Sequence, residues 1–264
     1  MRRPEIRIIE RQMVEMLKRA KDAFGVVSVK AEFEAEGTRI DELLRLLDIT
    51  RSAGLAMTVK IGGCEAVRDL LEAKQIGVDY IVAPMVETPY AAHKYVKAIN
   101  SVFQREEQSD MSYLINMETI TSFENRDAIM AEIAGEPGAD GLVFGRGDFV
   151  GSLGLNSDQV NTQETTNYIL NVAELCAESS KELVVGGGVS AKSVEALRQI
   201  HSIRLDRFET RKVVFEAKRA LAGNPEAGLE LAIEFELLWL ESKKHYYDRI
   251  ASEDSKRLAA LKVR

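Results

Sequence analysis

The sequence predicts an α/β fold: a closed barrel of the (β/α)8 type, with a helical extension at its C-terminal end. Short runs rich in Val and Ile alternate with stretches of helical periodicity, the signature of βα units around a parallel sheet. About seven such runs can be counted, which favours closure into a barrel over an open, doubly wound sheet. The chain has 264 residues, 45% of them hydrophobic and 29% charged, enough to bury one large core.

Ile9 to Ala23 reads as an amphipathic helix, with Met13, Met16, Leu17 and Ala20 at helical spacing. Val26 to Phe33 is β-rich and ends in Glu34-Ala35-Glu36-Gly37; the next helix carries Leu43, Leu44, Leu46 and Leu47. Ala56 to Gly63 is a strand and turn, followed by a helix through Leu70 and Leu71. Tyr80 to Glu87 is the next strand, with a helix from Pro89. Tyr113 to Glu118 precedes a helix around Asn125 to Ile133, and Gly141 to Asp148 precedes one from about Thr162 to Ser179. Leu183 to Gly188 leads into a helix from Ser190, and Ser202 to Phe208 is the last clear strand. The eighth strand is either the weak Ile6-Arg7-Ile8-Ile9 stretch, which makes the barrel atypical at its N-terminus, or it is missing. Beyond Val214 the chain reads as two helices, Ala227 to Lys243 and Ser252 to Leu261. The expected division is a barrel over 1–220 and a helical extension over 221–264, whose Phe235, Leu237, Leu238 and Trp239 pack on the barrel or on a neighbouring subunit.

The net charge of −7 and the pI near 5.3 argue against a nucleic-acid partner. Cys64 and Cys176 form no CxxC pair, which fits a reducing, cytoplasmic setting. Met1-Arg2-Arg3-Pro4-Glu5 leads into a charged amphipathic stretch, and no apolar run reaches membrane-spanning length, so neither a signal peptide nor a membrane partner is expected.

In a β/α barrel the chemistry gathers at the C-terminal ends of the strands. Those positions hold Lys30, Glu32, Glu34, Glu36, Lys60, Glu87, Glu118, Arg146, Asp148, the Gly186–Gly188 run, Arg207, Glu209 and Arg211. Glu118 and Asp148 end two neighbouring strand segments. Either they hold a hard divalent cation such as Mg²⁺, leaving positions for water and substrate, or they favour the N-termini of the helices that follow. Thr58 and Lys60 alternate with Val59 and should face the barrel interior. Lys60 is then a salt-bridge member, a ligand for a substrate carboxylate, or a Schiff-base lysine. Gly145 and Gly147 permit close approach of backbone to a ligand. Gly186-Gly187-Gly188 is a tight turn or a phosphate cradle. Arg207, Glu209 and Arg211 share one face if the last strand continues, as a charge network or an anion site. His93, His201 and His245 are scattered over helices and termini and are assigned no catalysis.

The segment Ile115-Asn116-Met117-Glu118-Thr119, the run from Gly138 to Phe149, Ser152-Leu153-Gly154, Val82-Ala83-Pro84-Met85-Val86-Glu87 and Val59-Lys60 together resemble the HpcH/HpaI aldolase and citrate lyase β-subunit family over roughly residues 26–190. The resemblance implies a TIM barrel. It also implies a divalent metal, Mg²⁺ or Mn²⁺, on Glu118 and Asp148, and a carbon–carbon bond made or broken through a pyruvate-like or acyl-CoA enolate. The expected substrate is a small anion: a 2-oxo acid such as pyruvate or oxaloacetate, or an acyl-CoA. The expected assembly is a homo-oligomer, a trimer or hexamer. Lys60 stands where the family has a substrate-binding Arg. The loop that carries the pyruvate aldolases' proton-shuttling His is here Glu34-Ala35-Glu36-Gly37, so Glu34 is the candidate for moving the proton. Arg146 replaces a residue that is often Pro and adds a cation beside the metal. Lys60, Arg146, Gly147 and Arg207 are the expected substrate contacts. Two other readings are a phosphate-binding barrel enzyme built on Gly186–Gly188 and a catalytically altered barrel serving as a binding or assembly module.

Overall fold

The computed structural model describes residues 8–263. The chain opens with α1 (Ile8–Phe24), whose Met13, Leu17 and Ala20 are fully buried against the barrel. Then βα units follow one another. They are β1 (Val26–Glu32) and α2 (Ile40–Ser52); β2 (Ala56–Lys60) and α3 (Val67–Ile76); β3 (Tyr80–Ala83) with α4 (Pro89–Val102) and α5 (Arg105–Gln108). Next come β4 (Ser112–Met117) with α6 (Ile120–Glu124) and α7 (Arg126–Ala134), then β5 (Gly141–Gly145) with α8 (Arg146–Ser152) and α9 (Gln163–Glu178). The last unit is β6 (Glu182–Gly186) with α10 (Val194–His201).

The barrel closes with eight strands in sequence order, but not by a final βα unit. β7 (Arg207–Glu209) turns at Thr210–Lys212, and β8 (Val213–Glu216) runs back antiparallel to both β7 and β1. Thr210 clamps the turn: its N–H donates to the Val213 carbonyl at 2.9 Å and its hydroxyl accepts from the Val213 N–H at 3.1 Å. The expected eighth strand at Ile6–Ile9 is thereby corrected: Ile8 and Ile9 open α1, and the preceding residues lie outside those described. Because β8 points back, the chain leaves the barrel at its N-terminal end, forms α11 (Ala217–Ala222) and climbs the outside as α12 (Pro225–Lys262). The two expected tail helices are one.

Strand alternation sorts the side chains. Val29, Met57, Val59, Ile81, Ile115, Phe144, Val185 and Phe215 face the helices and belong to the main core. Val82, Leu114, Val143 and Val184 form a separate apolar layer inside the barrel. That layer divides the interior. Lys30, Lys60, Asn116 and Glu209 lie toward the C-terminal ends of the parallel strands, and Tyr80, Glu182 and Arg207 open the strands at the other end. Among the described residues no helix is long and apolar enough to cross a membrane.

Candidate active site

The C-terminal mouth of the barrel is a ladder of buried charges. On β1, Lys30 donates to Glu209 and lies 3.1 Å from Glu32. On β2, Lys60 Nζ is 3.0 Å from Glu34 Oε2 and 3.4 Å from Glu118 Oε2. Two ammonium groups thus face four carboxylates. On the hairpin tip, Lys212 pairs with Glu36, and Arg211 approaches the same carboxylate at 3.9 Å.

Glu118 follows β4 directly and is 2% exposed. Four neighbours define it. Lys60 and the Asn116 amide, at 2.6 Å, donate to Oε2. The Met85 N–H donates to Oε1 at 2.9 Å, from a backbone held at φ 50°. Gly145 on the adjacent strand leaves the fourth side open: a Cβ there would lie 2.7 Å from Glu118 Cβ and Oε2. Burial pushes the Glu118 carboxyl above the usual carboxylate range; Asp148 pushes it further, and Lys60, Met85 and Asn116 offset only part of the rise. Helix capping does not account for Glu118, because Thr119 takes that role on α6 by accepting the Ser122 N–H. Asp148 lies in the first turn of α8, exposed, with no hydrogen bond or ion pair among the described residues.

Burial would lower the Lys60 pKa, but Glu118, Glu34 and Glu32 reverse the sign and hold the ammonium more firmly than in water. A lysine so held is a cation for binding oxygen, and the neutral amine that Schiff-base formation requires is disfavoured. The structure therefore brings together Lys60, Glu34 and Glu118, and puts Asp148 within electrostatic reach of Glu118.

Several expectations are corrected. Arg207 is the first residue of β7, so it faces the interior at the end away from the mouth; it pairs with Glu182 and stacks over Tyr80 at 4.1 Å. It is no substrate contact for this site. Arg146 is 1% exposed, and its guanidinium is spent on the carbonyls of Gly186 and Val160, the Asn161 side chain and the Ser193 hydroxyl. It braces α8 against β6 and adds no cation to the mouth. Gly186–Gly188 serves packing: Gly186 makes room for Glu209, and a Cβ on Gly187, at φ 76°, would lie 2.4 Å from the Gly147 nitrogen. Gly147 itself is exposed beside Asp148. A cavity of about 690 Å³, lined by Phe103, Tyr113, Pro137 and Lys181, lies at the opposite end of the barrel and shares no residue with the mouth.

Sequence reasoning missed Asn116 and Met85. Asn116 was legible, because it stands two residues before Glu118 on the same strand and shares its interior side. Its Oδ1 is buried without a partner, an acceptor at the mouth. Met85 acts through its backbone N–H, which no residue type announces.

A family model for HpcH/HpaI aldolase/citrate lyase matches residues 25–186, more than half of the chain. No curated protein matches it in sequence. Among solved structures it is similar to an HpcH/HpaI aldolase from Desulfitobacterium hafniense DCB-2, with TM-score 0.60 and 14% identity, covering 77% of this chain and 83% of that one. It is also similar to an HpcH/HpaI aldolase/citrate lyase family protein from Burkholderia cenocepacia J2315, with TM-score 0.59 and 12% identity, covering 90% and 99%. A variant of the citrate synthase SbnG superposes with TM-score 0.55 at 12% identity, covering 92% and 90%. At these identities the structural likeness establishes the shared fold.

Proposed function

The chain belongs to the HpcH/HpaI aldolase/citrate lyase family, and from that premise we propose that it is a divalent-metal-dependent carbon–carbon lyase acting on a small 2-oxo acid or related carboxylate through its enolate. The observation that carries this reading is the charge imbalance at the mouth. Lys30, Lys60, Arg211 and Lys212 face the five carboxylates of Glu32, Glu34, Glu36, Glu118 and Glu209 there, Glu118 is left above its ordinary pKa, and Asp148 is unpaired. A dication satisfies such a donor set, and hard carboxylate oxygens select Mg²⁺ or Mn²⁺. Among the described residues no three His, Cys, Asp or Glu side chains form a ready cage. Glu118 and Asp148 would therefore be the protein ligands, with the remaining positions taken by water and substrate.

Bound there, the cation would supply Lewis-acid stabilisation of the charge that develops on the enolate oxygen. The chain's own groups supply the rest. Lys60 holds the substrate carboxylate as a point charge, without the two-pronged geometry of an arginine. Glu34, partly exposed and anchored 3.0 Å from Lys60, moves the proton to or from the enolate carbon. The Gly147 backbone lines the approach to Asp148. Asn116 and Met85 fix Glu118 in one orientation, so the donor set is formed before substrate arrives.

The test is a calorimetric titration of chelator-stripped protein with Mg²⁺ and Mn²⁺, alongside pyruvate release from oxaloacetate. Asp148→Ala should abolish metal binding while leaving the thermal transition in place, and EDTA should abolish turnover. Full turnover in a metal-free preparation overturns the reading.

A further inference from the structure

Below the apolar layer of Val82, Leu114, Val143 and Val184, the barrel interior turns polar again at the N-terminal ends of the parallel strands. Tyr80 and Glu182 stand two residues before Val82 and Val184, and Arg207 is the register partner of Val184, so all three share the inner side. Glu216 lies directly across the β7–β8 pair from Arg207 and shares that side too. Together with Val27 and Leu205 they line a cavity of about 410 Å³. Small-molecule pockets run from roughly 300 to 1,000 Å³.

Arg207 is 6% exposed. Its guanidinium lies over the Tyr80 ring at 4.1 Å, and one terminal nitrogen donates to Glu182. Stacking occupies the face of a guanidinium and leaves its edge for oxygen acceptors. Here that edge is incomplete, because Arg207 Nε is buried with no hydrogen-bond partner among the described residues. A buried charged donor in that state is costly and calls for an acceptor. A pair that merely plugged the barrel would be matched or bettered by apolar side chains of the same volume. The Glu216 carboxylate has one loose partner among the described residues, Arg219 at 3.9 Å. The remaining acid of the lining, Asp206, is already held by Arg204 and the Leu183 N–H. Lys218, which is exposed, marks the solvent rim.

The pocket therefore offers an arginine edge that lacks an acceptor, a carboxylate that lacks a close cation, and an apolar wall. We propose that it binds a small α-amino acid as its zwitterion. The carboxylate takes Arg207 Nε, the ammonium takes Glu216, and an apolar side chain lies against Val27 and Leu205. A plain anion would leave Glu216 uncompensated and add a negative charge beside Glu182. A plain amine would leave Arg207 Nε without its acceptor. The apolar layer separates the occupant from the mouth, so this site is distinct from the one that carries the chemistry.

Calorimetry and ligand-observed NMR on the full chain test this with L-valine and its two halves: isovalerate, which lacks the ammonium, and isobutylamine, which lacks the carboxylate. L-valine should bind about tenfold or more tightly than either half, the scale of one charge-assisted hydrogen bond. Glu216→Gln, at a partly exposed position, should weaken L-valine and leave isovalerate unchanged. Arg207→Gln with Glu182→Gln removes the buried pair together and should abolish L-valine binding with the thermal transition still present; should that protein not fold, Glu216→Gln decides the matter. Asp148→Ala, at the mouth, should bind L-valine as the wild type does. No binding at millimolar L-valine, isovalerate bound as tightly as L-valine, L-valine affinity unchanged in Glu216→Gln, or L-valine binding lost in Asp148→Ala would each overturn the proposal. These measurements involve neither metal nor turnover, so their outcome is independent of the lyase reading.

Discussion

Gly145 decides how near β5 comes to Glu118. With a Cβ 2.7 Å from Glu118 Oε2, the carboxylate would have to rotate off Lys60, Asn116 and the Met85 N–H, and an overpacked buried site costs about 1–3 kcal/mol. Gly145→Ala is therefore expected to weaken Mg²⁺ binding by about tenfold or more, the usual scale for disturbing the groups that orient a ligand. Gly63→Ala, whose Cβ meets nothing within 4 Å, is the matched control. Calorimetry on both variants checks this; equal affinities would separate Glu118 from metal binding. At the same scale lies the lesson of Arg146. A basic residue at a strand end reads as an anion contact, but its neighbours Asn161, Ser193 and two carbonyls satisfy it internally. Those partners lie on three separate segments, and no local pattern in the sequence lists them together.

The β7–β8 hairpin is the element that gives this barrel its own mouth. By turning back at Thr210–Lys212 it inserts Lys212, 3% exposed, where a parallel strand would open into a loop and helix. Burial lowers the Lys212 pKa although Glu36 opposes it, so the pair is held by mutual need. Glu36→Gln should leave a buried ammonium without its counter-charge and cost about 3 kcal/mol. Backbone amides of the loop 33–39, which also carries Glu34, should exchange with solvent faster. Lys212→Met in the same background should restore much of the loss. If exchange in that loop is unchanged, the pair does not fasten it. This element was also the least legible. β7 spans three residues and β8 four, too few for alternation to be read, and Val213–Phe215 merges into the helical pattern that follows. Arg207 was misplaced for the same reason: a strand assumed to run from Ser202 to Phe208 puts it at the C-terminal end, whereas the strand begins with it. The earlier strands, four to seven residues of clear Val and Ile alternation, were readable, and with them the inward direction of Lys60. The tail broke into two apparent helices because the polar run Lys243-Lys244-His245 interrupts its apolar stripe, and the charge of that run favours solvent without ending a helix.

Over the whole molecule, an apolar shell of helices and outward strand faces surrounds an interior whose mouth is ionic, so stability has two terms with different pH dependence. The shell is indifferent to pH; the ladder is not. Burial alone would raise the Glu32 carboxyl, but Lys30, then Lys60 and Arg211, hold it below its ordinary value. The unfolded chain, with a carboxyl pKa of about 4.3, therefore binds protons more readily than the folded one. Glu32 contributes its stability above about pH 4.3 and loses it as pH falls through the lower folded value. Lys30 is raised, with Glu209 and Glu32 outweighing burial, so its contribution is present throughout the neutral range and is lost only in strong alkali. Glu32→Gln keeps the Lys30–Glu209 contact and should fold. Urea denaturation should find it less stable than the wild type by a constant margin between about pH 6 and 8, and that margin should shrink as both proteins are taken below about pH 4. A margin independent of pH would mean that Glu32 acts through shape and hydrogen bonding, and that the charge balance of the mouth is set by Glu34, Glu118, Glu209 and Asp148 without it.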